Sequence, residues 1–139
     1  MARKDFRTAN SIQQVYFSDF TNNMDKNPVT GYLARTTNEE TAKQMLRNLI
    51  LTIQGERFFQ PFNGSRVYDL LFEPADNYTM DSIRSSIEES INNELPFIKL
   101  TGIEIKDRSD INSYSITIGF TIIGIDHPIS MLVVLKRIR

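Results

Sequence analysis

The strongest constraint in this chain is a change of period. Up to Glu94 the apolar residues recur at helical spacing; from Ile98 onward they alternate. Tyr114, Ile116, Ile118, Phe120 and Ile122 interleave with Ser113, Ser115, Thr117, Gly119 and Thr121. Successive side chains of a strand point to opposite faces, so this segment has one apolar face and one hydroxyl face. Such a strand covers a core on one side only. Leu100, Ile103 and Ile105 predict a strand before it, with a bulge near Gly102. Met131 to Ile138 predicts a strand after it. Asp107–Asn112 and Gly124–Pro128 read as the connecting loop and turn, so the three strands form an antiparallel meander.

The helical part has its own punctuation. Thr37 and Glu40 have capping-box spacing, which starts a first helix at Thr37. Ala42, Met45, Leu46, Leu49, Ile50 and Ile53 follow as one apolar stripe, and Gly55 can take the left-handed conformation that ends it. Val67, Leu70 and Leu71 predict a short second helix stopped by Glu73-Pro74. Thr79 is the expected cap of a third, with Met80, Ile83, Ile87 and Ile91 facing inward and Leu95-Pro96 closing it. The expected fold is α+β: three helices packed on a small antiparallel three-stranded sheet. Residues 1–36 are polar and irregular and read as an N-terminal arm, lying over the domain or on a partner. Residues 37–139 then form one domain.

A chain of 139 residues is long enough for one domain with a real core. Cysteine is absent, which removes disulfides, thiolate nucleophiles and cysteine–zinc sites. The net charge of −1 gives no global field toward nucleic acid or an acidic membrane. Arg3, Lys4 and Arg7 have no apolar stretch behind them, so a signal peptide is not expected, nor is any run long enough to span a bilayer.

Between the first two helical patterns lies Gly55-Glu56-Arg57-Phe58-Phe59-Gln60-Pro61-Phe62-Asn63-Gly64. Glycines at both ends, a proline and clustered phenylalanines read as a folded corner whose aromatics fix the angle between flanking helices. Glu56, Asp69, Glu73 and Asp76 surround it, and paired carboxylates are what a glycoside hydrolase needs. The competing reading is solvated or capping carboxylates, and no catalytic residue is assigned. His127, in Asp126-His127-Pro128, has no spaced nitrogen partner and reads as a turn residue, so neither metal nor cofactor is expected. Gly-x-Ser-x-Gly, a P-loop and a dinucleotide fingerprint are all absent.

Two patterns bear on partners. Asp69 to Glu94 has Arg84 as its sole basic residue, while the C-terminal end is basic. That polarity serves docking between subunits, or is ordinary surface charge. Met131-Leu132-Val133-Val134-Leu135 is apolar on both faces. It is either a central strand buried on both sides, or an edge strand that a partner extends.

Taken together, Arg47-Asn48-Leu49-Ile50-Leu51, the corner residues Gly55, Arg57, Phe59, Pro61 and Gly64, and Asp69-Leu70-Leu71-Phe72-Glu73 resemble a known family. It is the baseplate wedge, or sheath-initiator, family of contractile-tailed phages, related to a baseplate component of type VI secretion. The resemblance covers roughly residues 25–135. It implies a structural, non-enzymatic virion protein of a contractile injection system, assembled in the host cytoplasm into the tail baseplate. Expected partners are other baseplate wedge proteins, tail sheath subunits, and tail tube or hub proteins, with no nucleic acid and no membrane. It further implies that sheath strands extend the sheet along Met131, Leu132, Val133, Val134, Leu135, Lys136, Arg137 and Ile138. The family's Glu-Pro-Arg motif after the last long helix, which joins the wedge bundle, falls here on Leu95, Pro96 and Phe97. Only the proline matches, so a hydrophobic anchor replaces the charged contact. Some members carry a lysozyme label, so the alternative function is a peptidoglycan-degrading muramidase acting during injection.

Overall fold

The structure, a computed structural model, describes residues 17–137 apart from the Asp126 side chain. Expectations for residues 1–16, Ile138 and Arg139 lie outside the described residues.

Nine short elements follow in order. Strands β1 (Ser18–Phe20) and β2 (Arg35–Thr37) precede helices α1 (Glu39–Leu51), α2 (Val67–Leu70) and α3 (Asn77–Glu94). Strand β3 (Ile98–Arg108), a 3-10 turn at Ser109–Ile111, β4 (Ser113–Ile122) and β5 (Ile125–Lys136) complete the chain. The sheet order is β3-β4-β5, antiparallel throughout, as the alternation predicts.

The apolar face of β4 is fully buried at Tyr114, Ile116, Ile118 and Phe120. On the same face of its neighbours stand Leu100, Ile103 and Ile105 of β3 and Ile129, Met131, Val133 and Leu135 of β5. Helix α3 lies over the β3 side, α1 over the β5 side, and α1 and α3 touch each other. Ala42, Leu46, Leu49 and Ile50 of α1 and Ile83, Ile87 and Ile91 of α3 close the core. Burying each large side chain stabilises by about 1.5–3 kcal/mol before its entropy is subtracted. The fold is therefore α+β with all three helices on one side of the larger sheet.

Several local expectations change. Thr37 does not cap α1; it pairs with Ser18 in the two-stranded β1–β2 ladder. Pairing uses its backbone, and the helix start moves to Asn38, whose carbonyl accepts from Ala42 N–H at 2.9 Å. Gly55 is not the stop of α1. The Thr52 hydroxyl and N–H both donate to Asn48 O, at 2.7 and 2.9 Å, and end the helix three residues earlier. Thr79 is buried inside α3, and the cap is Asp76, whose Oδ1 accepts from Thr79 N–H at 2.7 Å. At Gly102 the β3–β4 register shifts, as expected of a bulge.

Strand β3 runs through Asp107 to Arg108, shortening the loop expected there. Strand β5 starts at Ile125, not Met131, because Ile123 and Gly124 alone make the turn between the paired Ile122 and Ile125. Gly124, at φ 91°, takes the left-handed conformation this turn requires. The β4–β5 register shifts again between Phe120 and Ile122, opposite the segment holding Pro128, which has no N–H to give a ladder. His127 is thus a strand residue. Its Nε2 lies 2.6 Å from Glu39 Oε1 at the start of α1.

Residues 17–36 are more ordered than an irregular arm. They lie on α1 through polar contacts: Gln44 Nε2 donates to Phe20 O at 2.7 Å, and Asn22 Nδ2 to Asn48 Oδ1 at 3.1 Å.

Candidate functional site

Among the described residues no cluster of histidine and carboxylate could hold a metal ion, and no helix is long and apolar enough to cross a membrane. What the fold does present is interaction surface, in three places.

The first is the β5 edge. Of the residues expected to meet a sheath strand, Val133 and Leu135 are buried core and Met131 is half-buried. Leu132, Val134 and Lys136 point to the other face, which no described helix covers, and Leu132 is 57% exposed. The strand is therefore not buried on both sides. It is an edge strand with an apolar pair on its open face. Arg137 folds inward: its guanidinium lies 5.4 Å from the Tyr114 ring centroid and 3.7 Å from Asp107 Oδ1.

The second surface is the end of α3. Leu95 N–H donates to Ile91 O at 2.9 Å and closes the helix, leaving Pro96 exposed. Phe97 is half-buried because Phe17 stacks on it, with ring centroids 4.6 Å apart. Pro96 and half-buried Leu95 are what remain for a partner, with Phe97 shared with the arm.

The third is the loop after α1. Its neck is tied where Ile53 bridges Ser65, and Ser65 N–H donates to Thr52 O at 2.9 Å. Inside the loop, Gly55 N–H donates to Pro61 O at 2.8 Å and Asn63 N–H to Gln60 O at 3.1 Å. Gly64 and Leu71 of the corner are buried; Gly55, Arg57, Phe59, Pro61 and Phe72 are exposed. Phe58 is 99% exposed, Phe59 100% and Phe62 83%. The aromatics therefore do not set the angle of the corner; backbone hydrogen bonds and Gly64 do.

Residues 36–126, well over half of the chain, match the family described as baseplate wedge protein gp25. The chain belongs to that family. Its fold is shared by solved structures that are parts of assembled machines. One is the baseplate of the anti-feeding prophage: TM-score 0.61 and 22% identity, over 88% of this chain and 87% of that one. Another is the baseplate of pyocin R2 after contraction: TM-score 0.51 and 14% identity, over 81% and 96%. A Geobacter sulfurreducens protein named as a candidate tail lysozyme also matches: TM-score 0.68 and 20% identity, over 73% and 92%. No curated protein sequence matches the chain.

In this gp25-family chain the carboxylates near the corner serve structure. Glu56 Oε2 accepts from Ile53 N–H at 3.3 Å, closing the turn after α1. Asp76 is held below its ordinary range by hydrogen bonds from Thr79, as a helix cap, which keeps it ionised where a general acid must stay protonated. Asp69 and Glu73 line an open groove of about 680 Å³ between α2 and α3, with Arg66, Tyr78, Asp81 and Glu89. Exposure of the phenylalanines is the feature sequence reading missed. A signal existed: Phe58 and Phe59 are consecutive, and neither the helical nor the strand period puts neighbours on one buried face.

Proposed function

We propose that this gp25-family protein is a structural subunit of a contractile-tail baseplate whose sheet edge starts the sheath. The observation that carries the reading is β5. It is a long edge strand with no further strand beside it among the described residues, and Leu132 and Val134 lie exposed on its open face. An uncovered apolar edge is a standing invitation to another strand, and natural proteins blunt such edges unless a partner completes them. Sheath subunits that add strands there are the expected occupants, and Leu95-Pro96-Phe97 is the expected contact with the wedge. On this reading the work is interface geometry, without catalysis.

Deleting Met131–Arg139 is a poor test, because it removes Val133 and Leu135 from the core. A better variant carries Leu132→Glu and Val134→Glu, which charge the open face of the edge and leave the core intact. Baseplates containing it are expected to assemble but to carry no sheath, as counted by electron microscopy. Normal sheaths on such baseplates would sink the edge proposal. For the catalytic alternative, purified protein is incubated with peptidoglycan. Release of fragments that stops on Glu56→Gln or Glu73→Gln, with folding intact, would replace the structural reading.

A further inference from the structure

The loop between α1 and α2 is built as a knob. Its neck is buried at Gly64 and Ser65, and its tip holds Phe58, Phe59 and Phe62, each more than four-fifths exposed. Three phenylalanines offer on the order of 450–700 Å² of side-chain surface. That approaches the roughly 800 Å² per partner of a stable interface. The backbone hydrogen bonds within the loop hold this surface in place before any contact, which lowers the ordering cost of binding.

Charge narrows the occupant. Glu56 is engaged by Ile53 N–H, whereas Arg57, exposed beside the aromatics, makes no ion pair among the described residues. The tip thus presents apolar rings and one free positive charge, the residue types that dominate interface energetics. A second copy of this chain offers no matching seat. Its largest groove is lined chiefly by charged and hydroxyl groups, with Leu70 its lone aliphatic residue.

Resting on the baseplate reading above, we infer that the Phe58-Phe59-Phe62 knob anchors this subunit in a second baseplate protein. The partner's site is an apolar pocket with a carboxylate at its rim facing Arg57. The contact is separate from the β5 edge, so it fixes the subunit in the baseplate and not in the sheath.

The test uses the full chain, supplied to cells making tails that lack it. A variant with Phe58→Ser, Phe59→Ser and Phe62→Ser keeps its fold, because no core residue changes. Its occupancy in purified baseplates is expected to fall at least about tenfold against wild type, since loss of even one such anchor weakens binding that much. Arg57→Glu is expected to weaken incorporation more than Arg57→Lys. A photoreactive benzoylphenylalanine at position 59 is expected to crosslink to a different protein of the baseplate. Full occupancy of the triple variant alongside wild type would overturn the knob while leaving the baseplate reading intact. Failure of wild type itself to enter baseplates would overturn both. Crosslinking only between copies of this chain, or a concentration-dependent dimer lost in the triple variant, would replace the second protein by self-pairing.

Discussion

The Ser65 hydroxyl donates to the carbonyl of Ile50 at 2.7 Å, and both residues are buried. Ile50 lies in the last turn of α1, where carbonyls have no partner within the helix. The neck of the loop thus supplies the acceptor's partner from fifteen residues away. Ser65→Ala leaves a buried carbonyl without that bond and is expected to destabilise by about 1–3 kcal/mol. Urea unfolding followed by circular dichroism reads the loss. An unchanged midpoint would mean that water or a shifted backbone replaces the hydroxyl.

Gly64 is the other pin of the neck. It sits at φ 126°, and a Cβ there would lie 2.7 Å from the Thr52 carbonyl oxygen, a backbone atom that cannot swing away. The conformation alone costs a residue with a side chain about 1–3 kcal/mol, and the clash adds to it. Gly55, at φ 94°, has nothing within 4 Å of the same position. Gly64→Ala is therefore expected to lower the melting temperature clearly more than Gly55→Ala. Equal effects would show that the neck relaxes to admit the methyl group.

These two positions show what sequence could convey. The glycines and the proline marked a turn, and the change of period gave three helices and a three-stranded meander with a bulge at Gly102. Periodicity reports which face of an element is apolar, which is why Ile83, Ile87, Ile91 and the β4 residues were legible as core. It does not report whether an aromatic outside any period is covered, so Phe58, Phe59 and Phe62 were read as packing and are surface. Caps failed for a related reason. Thr37 and Thr79 have the right chemistry, but pairing with Ser18 claims one and Asp76, three residues earlier, takes the role of the other. The β5 strand was divided by Pro128, although an edge strand tolerates a proline where its neighbour shifts register.

The Asp76 cap gives a pH signature. Its carboxyl lies below the ordinary value of 3.8, chiefly through the backbone N–H of Thr79. A carboxyl depressed in the folded state favours folding when ionised. Its contribution is complete above the unfolded value and fades as pH falls through the lower folded one. Asp76→Ala is expected to melt at a lower temperature than wild type at pH 7, with the gap narrowing below pH 3.8. Asp76→Asn, still a good cap but uncharged, is expected to fall between them at pH 7. Thermal melts across pH check both. A gap that persists undiminished in acid would assign the effect to something other than the carboxylate.

Tyr114 makes the opposite kind of prediction. Its ring is fully buried beneath the helices, and its hydroxyl has no hydrogen-bond partner; the Nε of Arg137, whose guanidinium sits over that ring, has none either. A buried hydroxyl left unmade costs about 1–3 kcal/mol, so removing it relieves a penalty. The ring itself fills the core and faces the guanidinium, and phenylalanine keeps both roles. Tyr114→Phe is therefore expected to be neutral or to stabilise by up to that amount, whereas Tyr114→Ala opens a cavity and costs about 3–5 kcal/mol. Guanidinium unfolding of the two variants separates the hydroxyl from the ring. A loss of more than about 1 kcal/mol for Tyr114→Phe would mean that the hydroxyl holds a partner, since a typical net hydrogen bond is worth that much.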